Sequence, residues 1–402
     1  MGGFEQAANA KANNTMPIIS PDYIVNLDHG DPTVFEPYWK RVGEKCSVQI
    51  RGGESMSYFS DVRNVCWFLE PQLRDQIKRV HRVVGNAEAS NGQYLVVGNG
   101  STQLYQAALY ALTAPGGGEP VSVISAAPYY SIVSHNAGER LLQAYEEATD
   151  ILKSGLFKWA GDAYSYEGEG PYVELVTSPN NPDGQIREAV VKTGRGKVIH
   201  DLAYYWPQYT PICRPADHDV MLFTFSKGTG FAGSRIGWAI VKDKEVATKM
   251  TKFIEVCSIG VSKEAQIRAA KILEFISDSC QDSGISREER FFEHAKLMMN
   301  ARWEKLREVV KSNTCFTLPK YSDEYCNFYG KFSSTDPAFA WLKCKEEVDC
   351  ANLLKACKLI TRNGKRCGST WQYARISMTG RDADFNLFLE RLKGIKLCKV
   401  IP

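Results

Sequence analysis

A lysine followed by glycines is the most reactive feature of the chain. The segment Phe223–Trp238 has the sequence FTFSKGTGFAGSRIGW, in which Lys227 ends a strand-like apolar run and Arg235 lies eight positions further on. Taken alone, such a lysine is typical of a solvated loop. The intervening glycines, however, let backbone approach a bound group, and a guanidinium offers phosphate a planar fork of donors. A lysine beside a phosphate clamp indicates Schiff-base chemistry with pyridoxal phosphate (PLP).

Two further strand ends supply groups that the PLP ring needs. Asp201 ends the run KVIHD, and its carboxylate could keep the ring nitrogen protonated so that the ring acts as an electron sink. An isolated aspartate at this position could equally cap a following helix. Tyr204 and Asn181 could bond the 3-oxygen of the ring, although the segment SPNNPDG around Asn181 is by itself typical of a turn.

A third group of motifs could hold a phosphate and stack on the ring. The segment GNGSTQ follows the run YLVVG and precedes a helical pattern, so Ser101 and Thr102 offer hydroxyls and free amides at a helix N-terminus. Its spacing is neither that of a dinucleotide-binding fold nor that of a P-loop. The segment APYY, which follows another strand, presents an aromatic ring for stacking. All of these residues follow strands, and ligands of open α/β sheets bind beyond the carboxyl ends of the strands.

The elements that must position these residues alternate between strand and helix. Nearly continuous apolar runs predict strands that are covered on both faces, and the alternation favours a mostly parallel sheet flanked by helices. The predicted strands are Tyr94–Gly98, Val121–Ala126, Tyr172–Thr177, Lys197–Asp201, Val220–Phe225 and Gly237–Val241, and the predicted helices are Ser101–Leu112, Glu264–Asp278 and Arg287–Ser312.

After Pro319 the sequence pattern changes to short strands that alternate with helices, which predicts a second, α+β unit. Its predicted strands are Tyr325–Lys331, Ala338–Leu342 and Tyr373–Met378, and its predicted helices are Lys345–Cys357 and Ala383–Leu392. We therefore divide the 402 residues into a flexible leader (1–20), an N-terminal segment that packs with the small domain (21–55), a large PLP-binding domain (56–315) and a small C-terminal domain (316–402).

Together the motifs resemble those of the fold-type I PLP-dependent enzymes. The set GNGSTQ, APYYS, TSPNNPDG, HDLAYYWP and FTFSKGTGFAGSRIGW is similar to the alliinase-related plant branch, and most similar to the tryptophan aminotransferases of auxin biosynthesis. The resemblance extends from IVNLDHGDPT near the N-terminus to YARISM near the C-terminus. It implies an α/β fold in which a large domain with a mostly parallel sheet carries a smaller α+β domain.

The resemblance also implies a role for each site residue. Lys227 would bind PLP covalently and move the proton between the substrate Cα and the cofactor, while Asp201 would bond the ring nitrogen. Asn181 and Tyr204 would bond the 3-oxygen, and Tyr129 would stack on the ring. The phosphate would be held by Ser101, Thr102, Ser226 and Arg235.

Two implied roles lie outside the strand-end motifs, and one residue departs from the family pattern. Tyr58 would reach the phosphate of a partner subunit, which implies a homodimer. Arg375, in YARISM, would bind the substrate carboxylate, a task that suits a bidentate guanidinium. Phe231 stands where the family usually has histidine, so the cofactor geometry or the substrate shape could differ.

The expected reaction is the conversion of L-tryptophan to indole-3-pyruvate, with a 2-oxo acid such as pyruvate as the amino acceptor. The alternative is an alliinase-type C–S lyase that acts on S-alkyl cysteine sulfoxides. Both reactions would use the same cofactor-binding residues. The chain has neither a cysteine-rich N-terminal module nor a secretion signal, which favours the aminotransferase.

Composition limits the partners and the compartment. A net charge of +3 gives no electrostatic footprint for nucleic acid, and no apolar run is long enough for a membrane helix. The six histidines are scattered without a zinc-binding pattern, so no metal is expected. The twelve cysteines form no CxxC pair and are interpreted as buried thiols, and the sequon at Asn99 lies in the phosphate-binding motif, where a glycan would not fit. Both points predict a cytoplasmic protein.

Overall fold

The structure is a computed structural model that describes residues 22–89, 92–113, 119–130, 149, 154–282 and 284–396. The predicted leader and Cys398 lie outside the described residues. Within the described part of the chain, none of the helices combines the length and the apolar character that crossing a bilayer requires.

A seven-stranded sheet forms the centre of the larger part of the molecule. In chain order its strands are β2 (Tyr94–Gly98), β3 (Val121–Ser125), β4 (Phe157–Asp162), β5 (Tyr172–Thr177), β6 (Gly196–Asp201), β7 (Val220–Thr224) and β8 (Gly237–Val241). The spatial order is β2-β8-β7-β6-β5-β3-β4, and only β8 runs antiparallel to its neighbours. The predicted α/β class and all six predicted strands are confirmed. The sequence patterns missed only the edge strand β4, whose residues are half exposed.

Amphipathic helices cover the sheet. They are Pro71–Val84, Ser101–Leu112, Lys244–Ser258, Lys263–Gln281 and Phe291–Ser312. The helix Pro71–Val84 packs on Lys263–Gln281, and the helix Ser101–Leu112 packs on Lys244–Ser258. The helices Pro71–Val84 and Lys244–Ser258 were not predicted. The helix Phe291–Ser312 begins four residues later than predicted, because a short 3-10 turn, Arg287–Glu289, precedes it.

The C-terminal part builds a separate antiparallel sheet. Its strands are β9 (Phe316–Thr317), β12 (Phe339–Cys344), β14 (Arg362–Asn363) and β15 (Tyr373–Ser377), in the order β14-β15-β12-β9. The helices Cys350–Ala356 and Asp382–Gly394 accompany it. The predicted helix Lys345–Cys357 is wrong at its start, because the Asp349 side chain caps a helix that begins only at residue 350.

The predicted strand Tyr325–Lys331 is also wrong. The chain instead forms a hairpin of β10 (Glu324–Cys326) and β11 (Lys331–Ser333). The turn between them contains Gly330 with a φ of +64°, a left-handed conformation that glycine adopts readily.

The segment before the first long helix is hydrogen-bonded to the C-terminal sheet region. Strand β1 (Val25–Asn26) pairs in parallel with β13 (Leu359–Ile360), and the Leu27 carbonyl accepts a hydrogen bond from the Ser377 amide. The chain then passes Gly30 and forms the helix Glu36–Val42. This path carries the N-terminal segment to the boundary between the two sheets.

Candidate active site

A cavity of about 160 Å³ lies beyond the carboxyl ends of the central parallel strands. It brings together eight of the predicted site residues, namely Ser101, Thr102, Asn181, Asp201, Tyr204, Ser226, Lys227 and Arg235. Its other lining residues are Tyr130, Thr177, Ala203, Thr224 and Ala232. We call this cavity the cofactor pocket.

Lys227 lies on a helical turn, not at the end of a strand as the sequence pattern predicted. Strand β7 ends at Thr224, and a short helix, Phe225–Thr229, follows it. The Thr224 hydroxyl caps this helix by accepting a hydrogen bond from the Ser226 amide. The helical turn holds the lysine side chain over the sheet edge, where its ammonium group donates to the carbonyl of Gly30.

Burial makes the Lys227 amine easier to deprotonate than an ordinary lysine. Its pKa is lowered to about 8, chiefly by desolvation and to a smaller extent by the nearby cations of Arg375 and Arg235, while the Asp31 carboxylate opposes the shift. About a tenth of this amine is therefore neutral at pH 7, far more than in an ordinary lysine, and the neutral form is the one that attacks a carbonyl group or accepts a proton.

One corner of the cofactor pocket is built for an anion. Ser101 and Thr102 are the first two residues of a helix whose N-terminal amides point into the pocket region. Opposite them, the Arg235 guanidinium lies so close to Gly100 that a Cβ at residue 100 would be 2.5 Å from Nη2. A side chain at residue 100 would displace this guanidinium, and the φ of +81° at this position also favours glycine. A phosphate group fits this combination of charge, hydroxyls and backbone donors.

The opposite corner presents groups that suit an aromatic ring. An Asp201 carboxylate oxygen accepts a hydrogen bond of 3.1 Å from the Ala203 amide, which orients the carboxylate. The Tyr204 ring lies 6.0 Å from the Lys227 ammonium, and burial raises the pKa of its phenol well above 10, so the phenol remains a donor. The Asn181 amide oxygen accepts a hydrogen bond of 3.2 Å from Arg375, which leaves its NH₂ group as the donor for a ligand.

The stacking residue is a correction to the sequence prediction. Tyr130 lines the pocket, whereas Tyr129 packs edge-on against Trp159 at a centroid distance of 5.3 Å. The Tyr129 amide also donates to the Cys367 carbonyl, and its ring fills the space beside Gly368. Consecutive residues in extended chain point in opposite directions, so only one of two adjacent tyrosines can face the pocket.

The two residues predicted outside the strand-end motifs lie outside the pocket lining. Tyr58 is 59% exposed and contacts Phe59 and Trp67 on the surface. Arg375 lies on β15 and is 2% exposed. It reaches the pocket indirectly, through its hydrogen bond to Asn181, and its guanidinium lies 4.2 Å from the centroid of the Phe339 ring.

Sequence reasoning missed two groups near this site, Gly30 and Asp28, and named Arg362 only as an alternative to Arg375. Gly30 accepts from the lysine, and Asp28 and Arg362 form a buried ion pair with an oxygen–nitrogen distance of 2.6 Å. A buried charge is not visible in a single sequence. The one available signal was the segment NLDHGD, in which charged residues follow the apolar residues of a short strand.

Comparisons with known proteins agree with these features. A sequence profile of the family described as Allinase (Alliinase_C) matches residues 25–396. Tryptophan aminotransferase-related protein 2 of rice is 50% identical over 97% of this chain and 77% of its own length. The protein of the same name from Arabidopsis thaliana is 52% identical over 92% of this chain and 81% of its own length. Alliin lyase 1 of garlic is 34% identical over 92% of this chain and 74% of its own length.

Solved structures give the same fold at much lower identity. Aspartate aminotransferase of Rhizobium meliloti superposes with a TM-score of 0.61, at 15% identity, over 98% of both chains. At that identity the match supports the fold alone, and it confirms the expected arrangement of a large α/β domain with a smaller domain.

Proposed function

The chain belongs to the alliinase family of PLP-dependent enzymes, and from that premise we propose that it is an aminotransferase that converts L-tryptophan to indole-3-pyruvate in auxin biosynthesis. The amino acceptor would be a 2-oxo acid such as pyruvate. The observation that carries the proposal is the identity of 50–52% to tryptophan aminotransferase-related proteins, against 34% to alliin lyase 1.

The cofactor pocket fits PLP group by group. The phosphate would lie between Arg235 and the helix that begins at Ser101, where the Gly100 backbone leaves room for the guanidinium. The Asp201 carboxylate would accept a hydrogen bond from the protonated ring nitrogen and keep it protonated, and Tyr204 and Asn181 would donate to the 3-oxygen. When bound, PLP supplies an electron-withdrawing ring that stabilises negative charge on the substrate Cα.

The residues of the chain then divide the remaining tasks. Lys227 would be the base that takes the proton from the substrate Cα and delivers it to the C4′ carbon of the cofactor. Its lowered pKa of about 8 keeps part of the amine neutral for this purpose. Arg375 would hold the substrate carboxylate, so that the Cα–H bond faces the lysine. Arg375 is buried, and Lys227 is partly buried, which limits the access of water to the reacting atoms.

A second cavity beside the cofactor pocket supports an aromatic substrate. It has a volume of about 560 Å³, and Ala232 borders both cavities. Phe35, Trp39 and Phe231 contribute aromatic surface to it. The Trp39 indole is fixed by a hydrogen bond of 2.8 Å to the Thr229 carbonyl, with its ring 4.7 Å from that of Phe231. An indole side chain would find both the volume and the ring contacts that it needs.

We further propose that the enzyme acts as a homodimer in the cytoplasm. Tyr58 lies in an exposed apolar group with Met56 and Phe59, which supports its use by a partner subunit. The eleven cysteines of the described residues are all free thiols, which supports a reducing compartment. Mixing inactive Lys227→Ala subunits with inactive Tyr58→Ala subunits should restore activity, since one hybrid site would contain both native residues. Absence of recovery after proven subunit exchange would contradict the shared site.

Product analysis tests the reaction itself. The purified enzyme, supplied with L-tryptophan and pyruvate, should form indole-3-pyruvate and alanine in equal amounts. Supplied with an S-alkyl cysteine sulfoxide and no oxo acid, it should form little pyruvate. Rapid release of pyruvate and ammonia from the sulfoxide, with no indole product, would instead identify the C–S lyase.

A further inference from the structure

Two buried arginines share one carboxylate at the edge of the cofactor pocket. Arg362 and Arg375 stand directly opposite each other on the antiparallel strands β14 and β15. Their side chains are 4% and 2% exposed, and both bond the side chain of Asp28, which is also buried. Like charges in cross-strand register repel each other, so the position of this carboxylate decides which arginine is neutralised.

The carboxylate belongs to Arg362. The Arg362 Nε lies 2.6 Å from the Asp28 Oδ1, whereas the Arg375 Nη2 lies 3.5 Å from the same oxygen. Arg375 instead donates to two neutral acceptors, the Asp28 backbone carbonyl at 2.6 Å and the Asn181 side chain at 3.2 Å.

Arg375 is therefore a buried cation without a close carboxylate of its own. Its Nε has no hydrogen-bond partner among the described residues, although the side chain is almost fully buried. Burial lowers the pKa of Arg375, and the charge of Arg362 lowers it further. A buried guanidinium whose neighbouring carboxylate, at 3.5 Å, is held more closely by another arginine binds an incoming carboxylate strongly, because the pair forms where water does not compete.

We propose that Arg362 is a positioning residue that holds Asp28 away from Arg375 and so keeps Arg375 available for the carboxylate of the substrate. The proposal rests on the function given above, in which Arg375 receives that carboxylate. Without Arg362, the Asp28 side chain needs to move only about 1 Å to pair with Arg375, given the distances of 2.6 and 3.5 Å. Asp28 would then compete with every carboxylate ligand as an intramolecular inhibitor.

The test measures binding of a carboxylate that cannot react. Indole-3-propionate lacks the amino group, and its dissociation constant for the holoenzyme can be measured by calorimetry. Arg362→Gln should weaken binding by about 10- to 100-fold, the loss typical of a charged hydrogen bond. The double variant Asp28→Asn/Arg362→Gln should restore the affinity to within about threefold of the wild type, since the competitor is gone.

Two further variants separate positioning from folding. Arg391→Gln removes another small-domain arginine, which bonds the Lys358 carbonyl at 3.0 Å beside β13, and should leave affinity unchanged. Arg362→Lys keeps a cation for Asp28 and should bind indole-3-propionate within about threefold of the wild type. It is the deciding variant if Arg362→Gln fails to fold. The cofactor absorbance of each folded variant should stay close to the wild type.

Three results would overturn the inference. They are wild-type affinity in Arg362→Gln, no recovery in the double variant, and a loss in Arg362→Lys as large as that in Arg362→Gln. The last would mean that the guanidinium of Arg362 itself binds the ligand. The inference and the proposed function can fail separately. If the wild type binds indole-3-propionate and transaminates tryptophan, and Arg362→Gln binds the ligand equally well, only the role of Arg362 is contradicted. A wild-type enzyme that does neither contradicts the function itself.

Discussion

The cofactor pocket and the carboxylate corner, defined as Asp28, Arg362 and Arg375, are built in different ways. Every predicted residue that lines the pocket lies within about four residues of a strand end in one sheet. The corner instead joins the N-terminal segment to two strands of the small sheet, more than 330 residues away in the chain. The pocket therefore depends on local geometry, and the corner depends on how distant segments pack.

This difference predicts a division of labour. Substitutions in the pocket should lower the rate of the chemical step or the affinity for PLP, because these residues border the place of the reacting atoms. Substitutions in the corner should lower the affinity for carboxylates and leave PLP in place. A pocket variant that loses only carboxylate affinity, or a corner variant that loses PLP, would contradict this division.

The largest effect is expected for Lys227→Ala. Removing the base that moves the Cα proton should lower kcat by at least about 1000-fold, while the phosphate corner retains PLP noncovalently. Single-turnover kinetics and cofactor absorbance would measure the two effects. Borohydride reduction of the wild type should attach the pyridoxyl group to Lys227, and a different attachment site in peptide mapping would exclude this lysine.

Lys296→Ala is the matched control for that experiment. Lys296 is also a buried lysine with a lowered pKa, but its ammonium pairs with Asp336 at 2.9 Å, away from the pocket lining. Its loss should lower the free energy of unfolding, since Asp336 would keep a buried charge with a weaker set of partners. It should leave the borohydride adduct in place, and kcat should fall far less than in Lys227→Ala.

The next largest effect is expected for Asp201→Asn. The variant keeps the shape of the side chain but removes the negative charge beside the ring nitrogen. A fixed charge of this kind in a water-poor site contributes several kcal/mol, so kcat should fall by about 100- to 1000-fold. PLP occupancy, measured by absorbance, should change little. A variant with near-normal kcat would show that Asp201 does not support the ring.

Arg375→Lys should produce the contrasting result in the carboxylate corner. Lysine keeps the charge but loses the planar fork, so kcat/KM should fall by about 100-fold for tryptophan and for the 2-oxo acid alike. The absorbance of the bound cofactor should match the wild type. A fall in kcat/KM for only one of the two substrates, or loss of PLP, would place the carboxylate site elsewhere, with Arg362 as the next candidate.

The same division explains what the sequence could predict. The strands β2, β3, β5, β6, β7 and β8 were predicted because buried parallel strands are continuous apolar runs. The residues after them were then assigned to one edge, since parallel strands end together. No comparable rule leads from NLDHGD to Arg362, because their contact depends on tertiary packing.

Local errors have local causes. The residue pattern identified an aromatic after a strand but not which of two neighbours faces inward, and the choice of Tyr129 over Tyr130 came from the family resemblance. The hairpin at Gly330 was predicted as one strand because a single glycine within a β-rich run does not reveal a positive φ. The Asp349 cap was missed because charged residues on both sides suit a helix equally well.

A comparison of Tyr130→Ala with Tyr129→Ala tests the corrected assignment. Loss of the stacking ring should weaken PLP affinity by about 3- to 10-fold, given roughly 0.5–1.5 kcal/mol for an aromatic pair. Loss of Tyr129 should instead lower the free energy of unfolding by about 3 kcal/mol, since its ring fills buried space beside Trp159. Cofactor titration would measure the PLP affinity of each variant, and chemical denaturation would measure its free energy of unfolding. A loss of PLP affinity in Tyr129→Ala, with a loss of stability in Tyr130→Ala, would restore Tyr129 as the stacking residue.

The smallest effect is expected for Asp31, whose charge influences the pKa of Lys227 in the cofactor pocket. Apoenzyme captures PLP with the neutral amine, and a pKa of about 8 makes the neutral fraction rise about fivefold between pH 7 and pH 8. Asp31, which belongs to the N-terminal segment, raises this pKa by favouring the charged form. Asp31→Asn should therefore lower the pKa and move the midpoint of the capture rate to lower pH.

Stopped-flow absorbance of apoenzyme mixed with PLP measures that midpoint. Free PLP titrates identically in both experiments, so the difference between wild type and variant belongs to the protein. Glu36→Gln is the control, because Glu36 pairs with Arg381 on the surface and does not contribute to the lowered pKa of Lys227. A midpoint that stays fixed in Asp31→Asn, or that moves to higher pH, would mean that Asp31 does not raise the pKa of Lys227 and that burial and the neighbouring arginines set it.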